Sequence, residues 1–152
     1  MNGGEASVDV VTRVIIERPR ADVAALAANP DNAPLWYINI KSVEWRSPPP
    51  ARVGSRVAFV AHFLFRKLEY VYELVVFDPP SRVVMRTADG PFPMETTYEW
   101  RAIDASKTEM TLRNCGAPSG FISLLRPFVA GMMRRANTKD LRRLKSILEP
   151  SR

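Results

Sequence analysis

What most limits the folds open to this chain is the order of its segments. A β-branched run at Val8 to Glu17 leads into a Pro-led, Ala-rich stretch, a series of alternating segments with tight turns follows, and an amphipathic segment from about Pro127 to Leu148 closes the series. Leu68, Tyr70, Tyr72, Leu74 and Val76 fall opposite Lys67, Glu69 and Glu73. Val83, Met85 and Thr87 oppose Arg82 and Arg86, and Met94, Thr96, Tyr98 and Trp100 oppose Glu95, Thr97, Glu99 and Arg101. Thr108, Met110 and Leu112 then oppose Glu109, Thr111 and Arg113. Alternation of this kind marks strands with one buried and one wet face. About seven strands result, a sheet roughly 30 Å wide at ~4.8 Å per strand. A helix of about 22 residues is ~33 Å long and only ~10 Å across. One such helix cannot cover a flat sheet of that width. The expected fold class is therefore α+β: a curved antiparallel sheet of about seven strands wrapped around a long C-terminal helix, with two short helices after the first strand. That shape leaves a concave apolar space of the kind that takes small molecules.

The punctuation agrees. Pro19 suits a helix start, and Arg20 to Ala28 reads as the helix that follows. Asn29-Pro30-Asp31 stops it, and Asp31 or Asn32 can cap a second short helix carrying Leu35, Trp36 and Tyr37. Val43 to Arg46 is a short strand, and Arg56 to Phe65 and Leu68 to Phe77 are long ones with a turn near Arg66 and Lys67. Asp78-Pro79-Pro80-Ser81, Asp89-Gly90-Pro91 and Asp104 to Lys107 are turns. Gly116-Ala117-Pro118 ends the sheet, Ser119 can cap one or two turns over Gly120 to Arg126, and Pro127 either kinks or opens the last helix.

The 152 residues and 46% hydrophobic content fit one domain, expected at 8–149 behind a flexible N-terminus at 1–7. No apolar run reaches the ~20 residues of a membrane span, and the start does not read as a signal peptide. The single cysteine, Cys115, fits a reducing cytoplasm. The net charge of +6 concentrates on the last helix, where Arg126, Arg134, Arg135, Lys139, Arg142, Arg143, Lys145 and Arg152 outnumber Asp140 and Glu149. A solvated helix face accounts for this, and a weak contact with an anionic membrane is its functional counterpart. Without interleaved aromatics, no specific nucleic-acid partner is expected. The composition is neutral between monomer and homodimer.

Wound at 100° per residue, the last helix places Val129, Met133, Ala136, Asn137, Asp140, Leu144 and Ile147 on one stripe and Arg135 and Arg142 opposite. Asn137 and Asp140 are thus polar groups on the face turned to the sheet. Each needs a partner there, a water or a ligand group, because an unsatisfied buried polar group costs about 1–3 kcal/mol. The expected pocket lining is Trp36, Phe59, Phe63, Tyr70, Tyr72, Leu74, Met85, Thr87, Met94, Thr96, Tyr98, Met133, Asn137 and Asp140. Trp36 is expected to pack beneath the rim. His62, the one histidine, shares its side with Arg56 and Ala58 and so points outward, and Cys115 has no histidine nearby. With one of each there is no metal-ligand spacing, and no phosphate loop or nucleophile elbow occurs. Neither a cofactor nor a metal is expected, and no residue is assigned as catalytic.

The segment from Arg13 to Tyr37, RVIIERPRADVAALAANPDNAPLWY, resembles the opening of the START-like (SRPBCC) superfamily, the polyketide cyclase/dehydrase and lipid-transport group. The later pieces RVGSRVAF, VVFDPPSRVVMRT and RRANTKDLRRLKSILE are similar to the same group, so the likeness runs from about Val8 to Glu149. It implies a helix-grip fold, as in the birch pollen allergen, with an internal pocket for lipids, sterols, polyketides or other hydrophobic molecules. It does not imply one activity, since carriers, aromatase/cyclases, hydrolytic enzymes and receptors share that fold. Two readings follow: a binding protein for a hydrophobic small molecule, and a cyclase, aromatase or dehydratase using the same cavity.

Overall fold

The computed structural model describes residues 8–63, 65–89, 93–116 and 126–149. Strand β1 (Val8–Ile16) is followed by helix α1 (Arg20–Ala27), a 3-10 turn (Pro30–Asn32) and helix α2 (Ala33–Trp36). Strands β2 (Ile40–Trp45), β3 (Arg56–Phe63), β4 (Arg66–Asp78), β5 (Arg82–Asp89), β6 (Met94–Asp104) and β7 (Lys107–Gly116) come next, then helix α3 (Arg126–Leu148). All seven strands form one antiparallel sheet in the order β1-β7-β6-β5-β4-β3-β2. β2 to β7 are a plain meander. β1 alone leaves sequence order and pairs with β7 along its whole length, Val8 to Gly116 through Ile16 to Thr108.

Face and register follow the alternation. Val57, Phe59, Leu74, Val83, Met85, Tyr98, Trp100, Met110 and Leu112 form a buried cluster on the concave face with Leu141, Leu144 and Leu148 of α3. On the convex face, directly opposed residues carry opposite charges: Arg56 with Glu73, Arg82 with Glu99, Arg86 with Glu95 and Arg101 with Glu109. Each exposed pair adds well under 1 kcal/mol, yet a slip of one residue would bring charges inward, so together they favour this register.

The structure corrects several sequence expectations. The β4 ladder shifts between Leu74 and Val76, so Phe77 lies opposite Val83 and joins the core where simple alternation assigned Val76. One extra residue in a bulge flips the face of everything after it. β2 begins earlier than expected, at Ile40, again across a bulge. Arg66 and Lys67, near which the β3–β4 turn is expected, already pair with Phe63 and His62 as part of β4, and Phe65 just before them takes φ 62. The Asn29 side chain accepts from Asp31 N–H at 3.0 Å and caps the 3-10 turn, whereas Asn32 instead donates to Leu26 O. Along α3 the buried stripe at the C-terminal end runs through Leu141, Leu144 and Leu148 and leaves Ile147 exposed. Glu17, Arg18 and Lys145 fix that end: Glu17 N–H donates to the Glu149 carboxylate, Arg18 Nη1 to Leu148 O and Lys145 Nζ to Ile15 O. Pro127 sits near the N-terminal end of the described helix, where a missing N–H costs little. The expectations for residues 1–7, Ser119 and the turns before Arg126 lie outside the described residues.

Candidate functional site

The sheet curls and α3 packs most closely along its β1 edge, and a cavity of about 480 Å³ remains between them. That is within the ~300–1,000 Å³ range of small-molecule sites. Its floor is the concave face, with Phe59 from β3, Tyr70 and Tyr72 from β4, Met85 from β5 and Met94, Thr96 and Tyr98 from β6. Its roof is α3, with Val129, Met133, Ala136, Asn137 and Asp140.

Three expected lining residues are elsewhere, and a fourth falls outside the description. Trp36 is wholly buried beneath the rim, its ring 4.1 Å from that of Tyr37 and 5.6 Å from that of Tyr98. Leu74 lies deeper, in the core under α1 and the 3-10 turn. The Thr87 hydroxyl accepts the Met94 N–H at 2.9 Å, so that side chain ties the β5–β6 hairpin instead of facing the cavity. The Phe63 side chain lies outside the described residues. The cavity also holds residues that the sequence reading passes over, chiefly Tyr37, Asn39, Leu68 and Asn114. Two are within its reach. Leu68 is already on the inward set of β4, and carrying the β7 alternation one step beyond Leu112 leads to Asn114.

Polar groups interrupt the largely apolar lining, the cation Arg66 of β4 among them. Tyr37 and Tyr98 share a hydrogen bond between hydroxyls at 2.6 Å. Thr96 Oγ1 donates to Asn114 Oδ1 at 2.6 Å, and against the burial that raises Tyr72 the nearby Thr96 hydroxyl pulls that phenol down. Burial raises all three phenols: Tyr72 to about 12, and Tyr37 and Tyr98 well above the ordinary tyrosine value. They stay neutral at physiological pH and act as hydroxyl donors and acceptors. Asp140 is 3% exposed, and its Oδ1 accepts the Ile38 N–H at 2.9 Å. Burial pushes its carboxyl up to about 6, against the Ile38 hydrogen bond and the nearby Arg143 guanidinium, which both pull it down. Asn137 is 5% exposed, and its Nδ2 is buried with no hydrogen-bond partner among the described residues. His62 lies on the exposed side of β3, at the outer rim. Among the described residues no group of three or more His, Cys, Asp and Glu could hold a metal ion.

A curved seven-stranded sheet gripping one long helix over an apolar cavity is the helix-grip architecture of START-like proteins. The chain belongs to the polyketide cyclase/dehydrase and lipid-transport family, whose model matches residues 7–149. Solved structures agree in fold. A protein of Thermus thermophilus superposes with a TM-score of 0.80 at 21% identity, over 94% of this chain and 99% of that one. The Zhui aromatase/cyclase of a Streptomyces species gives 0.79 at 14% identity, over 95% and 94%. A START superfamily protein of Mycobacterium smegmatis gives 0.77 at 10% identity, over 93% and 97%. At these identities the likeness is one of fold. No curated protein matches the chain. No helix among the described residues is long and apolar enough to cross a membrane.

Proposed function

We propose that this protein binds a hydrophobic small molecule, such as a lipid or polyketide, in the cavity between sheet and α3, with Asn137 and Asp140 fixing its polar group. The observation that carries this reading is the Asn137 Nδ2: a sealed donor without a partner among the described residues, in a side chain that lines a 480 Å³ cavity. Leaving such a donor unpaired costs about 1–3 kcal/mol, and a turn of the amide toward the cavity would let a ligand carbonyl or hydroxyl oxygen satisfy it. Family membership supports the ligand class, since its description joins polyketide chemistry with lipid transport. The test is native mass spectrometry of protein purified from its own host, with extraction of any bound compound. A single co-purified lipid or polyketide, bound more weakly by Asn137→Leu, is the expected result. Unchanged affinity in both Asn137→Leu and Asp140→Leu would sink the polar-group assignment.

A second reading has its own observation. Asp140 is a buried carboxyl on the cavity wall that titrates near 6, within reach of neutral pH. Such a group can exchange a proton with a bound poly-β-keto chain, as a cyclase, aromatase or dehydratase requires. On that reading Asp140→Asn keeps substrate binding and loses turnover. Retained turnover in that variant would remove Asp140 as the proton carrier.

A further inference from the structure

We infer that the cavity opens into a separate cationic vestibule, and that the ligand is an amphipathic anion whose carboxylate or phosphate sits there while its apolar body fills the cavity. The inference rests on the binding reading above and deepens it. A second hollow of about 280 Å³ lies against the outer side of α3, lined by Ile38, Asn39, His62, Met132, Arg135 and Lys139, among others. It shares Asn39, Ala136 and Asp140 with the main cavity, so the two hollows are neighbours separated by no more than those side chains.

Three of the basic residues of α3 are bound to the rest of the fold. Arg134 donates to Val11 O, Arg143 to Leu35 O, and Lys145 to Ile15 O and Glu149. These are committed to holding the helix. Arg135, Lys139 and Arg142 have no ion pair or hydrogen bond among the described residues, and of these Arg135 and Lys139 line the vestibule. These two are four residues apart, hence on the same helix face. Lys41 brings a third cation near the lining residue Ile38, its Nζ 3.2 Å from that carbonyl. Glu73, Glu95, Glu99 and Glu109 of the sheet do not offset this charge, being paired with arginines on the convex face. Asp140 is the one acid in the lining, and it is turned to the Ile38 N–H. Two unpaired cations at the mouth of an apolar space recognise a long apolar molecule with an anionic end.

The test compares laurate, lauryl phosphate and lauryl alcohol by calorimetry at low salt, with wild type and with Arg135→Gln/Lys139→Gln. At least one anion is expected to bind about tenfold more tightly than the alcohol, and added salt should erode that preference. The double variant should lose the preference and keep the alcohol's affinity. The anion that is favoured tells a carboxylate ligand from a phosphate one. Equal binding of alcohol and anions by wild type would overturn the inference and leave the cavity reading intact, as would a double variant that keeps the anion preference. Binding of none of the three would overturn both.

Discussion

Asp140 and Asn137 sit one turn apart on α3, and each makes the fold less stable than an apolar residue would. For Asp140 the cost depends on pH. Its carboxyl is raised from 3.8 to about 6 by burial, so the folded state holds the proton more tightly than the unfolded chain does. Stability is therefore greatest below about pH 4, falls as pH rises from 4 to 6, and is flat with respect to this group above that, with roughly 2–3 kcal/mol lost across the window. Other carboxyls act in the opposite sense: Asp9, held low chiefly by its hydrogen bond to Arg113, loses its contribution as pH falls. The Asp140 contribution is thus read as a difference. Urea unfolding of wild type and Asp140→Asn between pH 4 and 7 should show the variant gaining on the wild type by that amount. For Asn137 the expected trade is direct. Asn137→Leu removes a buried donor that has no partner among the described residues, so it should raise stability by about 1 kcal/mol while weakening the bound ligand, measured by thermal melts of the ligand-free protein beside a binding titration.

Among the elements, the β6–β7 hairpin and strand β4 are the most exacting. At Gly116, where β7 lies opposite Met94, a Cβ would stand 2.5 Å from Met94 Sδ and 2.8 Å from the Pro93 carbonyl oxygen. The sulfur can swing aside and the carbonyl cannot, so Gly116→Ala should cost about 1–3 kcal/mol by denaturant unfolding. Strand β4 shows where reading by alternation stops. From Leu68 to Leu74 the two faces are legible in the residue types alone. Beyond the bulge they are not, because Val75, Val76 and Phe77 are all apolar and nothing in their order says which is the extra residue. The end of α3 has the same difficulty: Ile147 and Leu148 are neighbours of equal hydrophobicity, and the packing against β1 and α2 decides between them. Thr87 departs from expectation for another reason. Its position on the strand is inward by count, but a hydroxyl close to a turn finds a backbone N–H first.

For the molecule as a whole, one helix secures both the core and the closure. Leu144 is fully buried in the cluster that joins sheet, α1 and α2. Leu144→Ala should lower the unfolding free energy by about 2–5 kcal/mol, seen as a shifted urea midpoint at constant slope. The sheet wrapped around a single helix is legible from the ratio of strands to helices. The cavity's outline is less so, because which side chains meet the empty space depends on where α3 stops short of the sheet, and no local pattern records that. The strand order has a further consequence, in the time domain. β1 is made first, yet its partner is β7, about 100 residues later, as in the Thr12 bond to Leu112 O. At roughly 5–20 residues per second, a ribosome would leave β1 unpaired for about 5–20 s while the meander is being assembled. A strand reading VDVVTRVII must be kept from other chains for that interval, and its Asp9 and Arg13 are the charges available to do so.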